Sequence, residues 1–143
     1  MALKRQLVAL TIAVATLGAL LLYLRDPPWL LSVSSGMRPW ETDASGRRLR
    51  WMGGHASFFV PSDAHVVTVP LRTTFNAGEP PITATISIDD RPVDRVTLAD
   101  PQWRISTLRL PLKGTRRARR IDIRVDRTRD DNRGAAVGEV ILR

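Results

Sequence analysis

Residues 7–24 read LVALTIAVATLGALLLYL, eighteen residues without a charge, in which only Thr11, Thr16 and Tyr23 carry side-chain polarity. As a helix rising 1.5 Å per residue the run measures about 27 Å, close to the ~30 Å hydrocarbon core of a bilayer. No polar face interrupts it, which argues against the buried helix of a soluble domain. The spacing predicts one N-terminal transmembrane helix. A cleaved signal peptide is the rival reading, since Ala13-Val14-Ala15 has the small-x-small form of a cleavage site. Cleavage there would leave only residues 7–12 as the apolar region, against the ~7–15 residues usual, and would strand residues 17–24 in water.

Lys4 and Arg5 precede the run, whereas on its far side Arg25 adjoins Asp26 and no further basic residue occurs before Arg38. Basic residues near a span stay cytoplasmic. The expectation is a single-pass protein of a bacterial inner membrane, N-terminus cytoplasmic and the rest extracytoplasmic. No ionisable residue lies inside the span, so it reads as a tether without a transport or proton-relay role. Asp26-Pro27-Pro28 stops the helix, because proline cannot continue it and disfavours helical geometry in the residue before it. Trp29, Leu30 and Leu31 follow. Two readings stand for them: an interfacial belt with Tyr23, or packing beneath the domain.

Beyond the span the apolar residues recur with period two. Leu49 and Trp51 share a face, as do Phe58 and Val60. Val67, Val69 and Leu71 form one inward set, Ala84, Ile86 and Ile88 another, and Val96 and Leu98 a third. Leu108, Leu110 and Leu112 continue the pattern, residues 120–126 alternate most sharply, and residues 136–142 close the chain. Gly53-Gly54, Asp89-Asp90-Arg91-Pro92 and Lys113-Gly114-Thr115 read as turns, and Pro70 points to an edge or a bulge. About eight short strands at ~8–12-residue spacing, with no helical pattern among them, predict an all-β antiparallel β-sandwich or jelly roll after one transmembrane helix. The division expected is a cytoplasmic tip and anchor over residues 1–25, a linker and domain entry over 26–46, and the sandwich over 47–143.

The absence of cysteine excludes disulfides and thiolate metal sites. The formal charge is +8, and twenty of the twenty-two basic residues are arginine. Arginine-rich coding in a GC-rich genome accounts for this without function. Attraction to anionic headgroups or glycans is the functional reading, and nucleic acid falls away for an extracytoplasmic domain. Arg116, Arg117, Arg119 and Arg120 form the densest basic run and are the candidates for contact with an anionic surface, since guanidinium forks pair with phosphate and carboxylate. The alternative for that run is a solvated loop.

Catalysis finds little support. His55 and Ser57 share a strand face, but no third group at a recognisable spacing orients the histidine, as nucleophilic catalysis requires. Asp126, Asp130 and Asp131, and separately Asp89, Asp90 and Asp94, suggest calcium by number alone. Each cluster is interleaved with arginine, which favours ion pairs, so no metal and no cofactor is expected. The tryptophans carry more. An indole face suits a pyranose ring when polar neighbours complete the site. Trp51, alternating with Leu49, reads as core. Trp40 with Glu41, and Trp103 with Arg104, sit beside loops and are the candidate ligand-binding residues, with a structural role as the alternative.

Trp40-Glu41, Gly46-Arg47-x-x-Arg50-Trp51-x-Gly53 and Ala56-x-Phe58-Phe59-Val60-Pro61 resemble the opening of a β-sandwich module appended to bacterial multi-spanning membrane glycosyltransferases. Ile86-x-Ile88-Asp89-x-Arg91-x-Val93, Trp103-Arg104, Leu108-x-Leu110-Pro111 and the stretch from Arg119 to Thr128 agree with it. The resemblance implies an extracytoplasmic accessory domain, similar to carbohydrate-binding folds, in envelope glycan work. The many-helix transferase portion is absent here, so the module would stand alone on one anchor. Together these readings predict a non-enzymatic, membrane-anchored β-sandwich that binds envelope polysaccharide or assists a membrane glycosyltransferase. The alternative is a structural or assembly subunit that docks a protein partner.

Overall fold

A computed structural model describes residues 2–111 and 116–143. The inward position expected for Leu112 and the turn expected at residues 113–115 lie outside the described residues. Helix α1, Ala2–Arg25, is followed by a short 3-10 helix, Pro28–Ser32, and ten strands: β1 Ser34–Met37, β2 Glu41–Thr42, β3 Arg48–Pro61, β4 Val66–Thr73, β5 Ile82–Ile88, β6 Arg91–Leu98, β7 Arg104–Arg109, β8 Ala118–Val125, β9 Ala135–Gly138 and β10 Ile141–Leu142. From Lys4 onward every residue of α1 is exposed. None of its leucines, valines or isoleucine between Leu7 and Leu24 is buried, and the helix is long and apolar enough to cross a membrane.

All strand pairs are antiparallel, and the path runs β10-β4-β9-β3-β8-β5-β6. The long β3 makes this one path into two layers. Its first half pairs with β9 (Leu49 with Gly138, Met52 with Ala135), and its second half pairs with β8 (His55 with Arg124, Pro61 with Ala118). One layer is therefore β2-β3-β9-β4-β7 and the other β1-β3-β8-β5-β6. A strand that bends and changes sheet is a familiar way to close the corner of a sandwich. Gly53-Gly54, expected as a turn, is this bend, and the strand continues through it. A Cβ at Gly53 would meet the end of the Asn132 side chain at 2.9 Å, so that amide would have to turn aside.

Strand β1 follows the bend. Its register jumps from Ser35 opposite Ser57 to Met37 opposite Met52. Gly36 takes up the jump at φ +70°, against the His55 carbonyl. Residues 34–42, expected as linker and entry, thus already contribute two strands to the sandwich. They are short and mostly exposed, so they carry little hydrophobic alternation to read. The segment expected as one last strand is two, β9 and β10. Leu71 pairs with Val137 and Thr68 with Ile141, so the register shifts by one residue opposite Pro70. The missing N–H of the proline falls beside this irregularity, as its position inside an alternating strand implied. The β5–β6 hairpin closes on Asp89 and Asp90, at φ 48° and 69° between paired Ile88 and Arg91. Two left-handed residues match the twist of the flanking strands, and aspartate tolerates that conformation.

The core lies between the layers. Val67, Val69 and Leu71 of β4 face Ile82, Ala84, Ile86 and Ile88 of β5, Ile121 and Ile123 of β8, and Ala56, Phe58 and Val60 of β3. A smaller cluster of Leu49, Trp51 and Ala136, with Trp103 against it, lies on the outside of the β3-β9-β4 layer.

Candidate ligand-binding site

Trp40 enters β2 and stays 45% exposed. The guanidinium carbon of Arg48 lies 4.8 Å from its ring centroid and that of Arg50 5.6 Å away. Arg50 is the better held. Its Nε donates to the Arg38 carbonyl at 2.7 Å and its Nη1 to Ser34 Oγ at 2.7 Å, so β1 and β3 fix it together. Arg48 reaches outward to Glu139 at 3.3 Å, with both side chains more than half exposed. Trp40, Arg50 and Ser34 line a shallow cleft of about 270 Å³ floored by Phe58 and Val137 and closed on one side by Leu31. An indole, an apolar floor and a few convergent polar groups are what a small-molecule site needs, and the volume lies near the ~300 Å³ lower end for such sites.

The other three residues singled out by sequence do not join it. Glu41 accepts from Trp51 Nε1 at 3.2 Å. Arg104 pairs with Asp100 at 3.1 Å. Trp103 lies over Gly138 and faces Arg72, whose guanidinium carbon is 5.0 Å from its ring and 5.6 Å from that of Trp51. Arg72 therefore lies close to two indoles, and its Nε is buried with no hydrogen-bond partner among the described residues. Asp43 holds it by Nη1 at 3.3 Å. The same carboxylate accepts from the Ser45 hydroxyl at 2.6 Å, the Ser45 N–H at 2.9 Å and the Arg47 N–H at 3.0 Å. The Ser45 hydroxyl in particular, with those amides and Arg72, holds the Asp43 carboxyl below its ordinary value, against the opposing effect of burial. Trp51 is core as expected, but in this outer cluster.

On the face of β8 away from the core, Asp122 is 7% exposed and accepts from Arg120 Nε at 2.8 Å, with His55 Nε2 at 3.0 Å. The hydrogen bond from Arg120 to Asp122 raises the Arg120 pKa above its ordinary value. Asp122 is the partner of His55 that spacing did not reveal; it lies 67 residues beyond His55 and stands opposite Ser57 in register. Ser57 Oγ is hydrogen-bonded to Ser35 Oγ at 2.8 Å, so the hydroxyl and the imidazole have separate partners.

The basic run divides. Arg119 pairs with Asp89 at 2.7 Å, and Arg120 is shared by Asp90 and Asp122. Arg116 and Arg117 are exposed, and neither side chain is ion-paired among the described residues. Asp131 pairs with Arg133 at 2.6 Å, Asp126 accepts the Thr83 N–H at 3.0 Å, and Asp94 accepts from Ser106. Among the described residues no group of three or more histidine, aspartate or glutamate side chains is placed to hold a metal ion. Seven arginine–aromatic contacts occur among the described residues, with Phe75 also flanked by Arg127 at 4.3 Å and Arg129 at 4.6 Å. Six of the twenty arginines thus stand over aromatic rings.

No protein-family model matches the chain, and no curated protein matches it significantly in sequence. Solved structures are similar to the chain. A family 35 carbohydrate-binding module from an environmental isolate matches with TM-score 0.51 and 14% identity over 76% of this chain and 86% of its own. A family 6 carbohydrate-binding module from Clostridium cellulolyticum, solved with xylose, matches with TM-score 0.46 and 11% identity over 79% and 91%. A family two carbohydrate esterase from Cellvibrio japonicus gives TM-score 0.47 and 16% identity over 76% of this chain. The chain spans about 30% of that esterase's length. The architecture is the antiparallel β-sandwich expected from the alternation, built like a carbohydrate-binding module.

Proposed function

We propose that this protein is a non-catalytic carbohydrate-binding β-sandwich held at the bacterial inner membrane by α1, with its domain extracytoplasmic, and that it engages envelope glycan at Trp40. The observation that carries the reading is the cleft itself. A half-exposed indole stands beside a rigidly held guanidinium and a serine hydroxyl over an apolar floor. A pyranose would lie on the indole and displace the solvent-exposed Arg48, while Arg50 and Ser34 take its hydroxyl groups. The sandwich shared with a family 35 carbohydrate-binding module supports the class. Lys4 and Arg5 support the orientation, with residues 1–25 as tip and anchor. The resemblance to modules of membrane glycosyltransferases supports service to such an enzyme. Trp103 and Arg104 belong to the scaffold in this reading, and Glu41 positions Trp51.

Titration of the full chain in detergent micelles with envelope polysaccharide fragments, followed by tryptophan fluorescence or calorimetry, tests it. Saturable binding lost in Trp40→Ala is expected. Absence of binding to any envelope glycan overturns the sugar reading.

One observation favours a protein-docking role instead. Ile105 is 67% exposed and Val93 48%, on the neighbouring strands β7 and β6, where Asp94 bonds Ser106. Exposed apolar side chains at a sheet edge invite a partner. Copurification that survives Trp40→Ala and is lost in Ile105→Arg would support that role.

A further inference from the structure

The end of α1 and the sandwich enclose a second cleft, and its walls are of two kinds. Leu24, Trp29, Leu30 and Phe59 form an apolar side, and Arg25, Arg116 and Arg120 with Asp89 and Asp90 a charged one of net positive sign, around a volume of about 510 Å³. The chain is tied here, because the Asp26 carboxylate accepts the Arg117 backbone N–H and the 3-10 helix Pro28–Ser32 lies against β3. A smaller hollow beside it, about 360 Å³, is lined by Tyr23, Arg25, Pro28 and Arg117. The acidic residues at hand are occupied. Asp89 holds Arg119 and the Arg120 N–H, and Asp90 holds Arg120. Arg25, Arg116 and Arg117 make no side-chain ion pair among the described residues.

The height of the cleft is set by the helix. The apolar run ends at Leu24. If α1 spans the bilayer, Leu24 marks the edge of the hydrocarbon, and the cleft opens at the level of the headgroups. Tyr23 and Trp29, 50% and 57% exposed, stand where interfacial aromatics stand. A soluble polyanion would make no use of the Leu24, Trp29 and Leu30 wall. A molecule with a phosphate for the arginines and a hydrocarbon chain for that wall uses both sides. We propose that this cleft binds the phosphate headgroup of an anionic membrane lipid and so fixes the sandwich upright on its anchor. The inference rests on the reading of α1 as a span and is independent of glycan binding at Trp40.

The test uses the full chain. Carbonate washing of membranes first establishes whether it is integral. The detergent-purified protein is then exposed to equal phosphatidylglycerol and phosphatidylcholine, and bound lipid is counted by native mass spectrometry. A basic residue at the surface is worth about fivefold in anionic-lipid preference. Retention in the membrane and at least tenfold preference for phosphatidylglycerol are expected. Arg25→Gln with Arg116→Gln, the two unpaired arginines of the cleft, should bring that preference to near parity. Arg95→Gln with Arg124→Gln, an equal charge change on the open face of β6 and β8, should leave it unchanged. Release into the wash overturns the span and the site together. Retention with equal binding of the two lipids, or equal loss in both double variants, overturns the site alone.

Discussion

Trp40 enters β2 at one edge of the β2-β3-β9-β4-β7 layer, Trp103 lies over its middle strand β9, and arginine meets both. At Trp103 the arginine is Arg72, which also faces Trp51 and is closed off by Asp43; its side chain is 21% exposed. At Trp40 the nearer arginine is Arg48, whose side chain is 55% exposed and whose partner Glu139 is equally wet. The same contact serves as cement where one guanidinium is shared by two rings and a carboxylate. At Trp40, where solvent reaches it, the proposed function makes it a removable cover. A buried cation–π contact is worth ~2 kcal/mol or more, against ~0.5–1 kcal/mol at an exposed site.

That contrast can be broken most strongly at Trp51. Trp51→Ala removes the ring between Glu41, Arg72 and Arg133 and should cost about 3–5 kcal/mol in denaturant unfolding. A loss below ~1 kcal/mol would mean the outer cluster is not structural. Gly36→Ala comes next. A non-glycine residue at φ +70° costs about 1–3 kcal/mol, and the Cβ must also push the His55 carbonyl aside. Thermal unfolding should show a marked fall, and hydrogen exchange in β1 should rise.

Much of this was legible in residue order. Alternation at Val67, Val69 and Leu71 and at Ala84, Ile86 and Ile88 marks the inward faces because the pleat has period two, and those residues are buried. Asp89-Asp90 marked a hairpin. The bend at Gly53-Gly54 left only the glycines as a trace. Met52, Ala56, Phe58 and Val60 keep one parity on the core side through it, and Leu49 and Trp51 face the outer cluster instead. The division between Trp40 and Trp103 left no such trace. It depends on Arg72 and Asp43, 29 residues apart, and on Arg50 reaching Ser34, and no local period encodes those meetings. The same holds for Asp122 beside His55.

Arg72→Met keeps much of the volume and removes the cation, so it should cost about 1–2 kcal/mol and leave glycan binding intact. Asp43→Asn sharpens the comparison through pH. The Asp43 pKa is lowered in the folded state, so the folded chain binds fewer protons there than the unfolded one, and the contribution is fully present above the ordinary 3.8. It is lost as pH falls through the folded value. Melting temperatures between pH 2 and 6 should therefore fall more steeply for the wild type than for Asp43→Asn. Parallel curves would remove Asp43 from the account.

Trp40→Ala should have the smallest effect on stability, under ~1 kcal/mol for a half-exposed residue outside the core, and the largest effect on ligand. Titration of the full chain with envelope polysaccharide fragments, with Trp40→Ala and Trp103→Ala beside the wild type, tests the central claim most directly. Saturable binding by the wild type and by folded Trp103→Ala, with none by folded Trp40→Ala, is the predicted result. Binding that is unchanged in Trp40→Ala, or absent from the wild type, would contradict it.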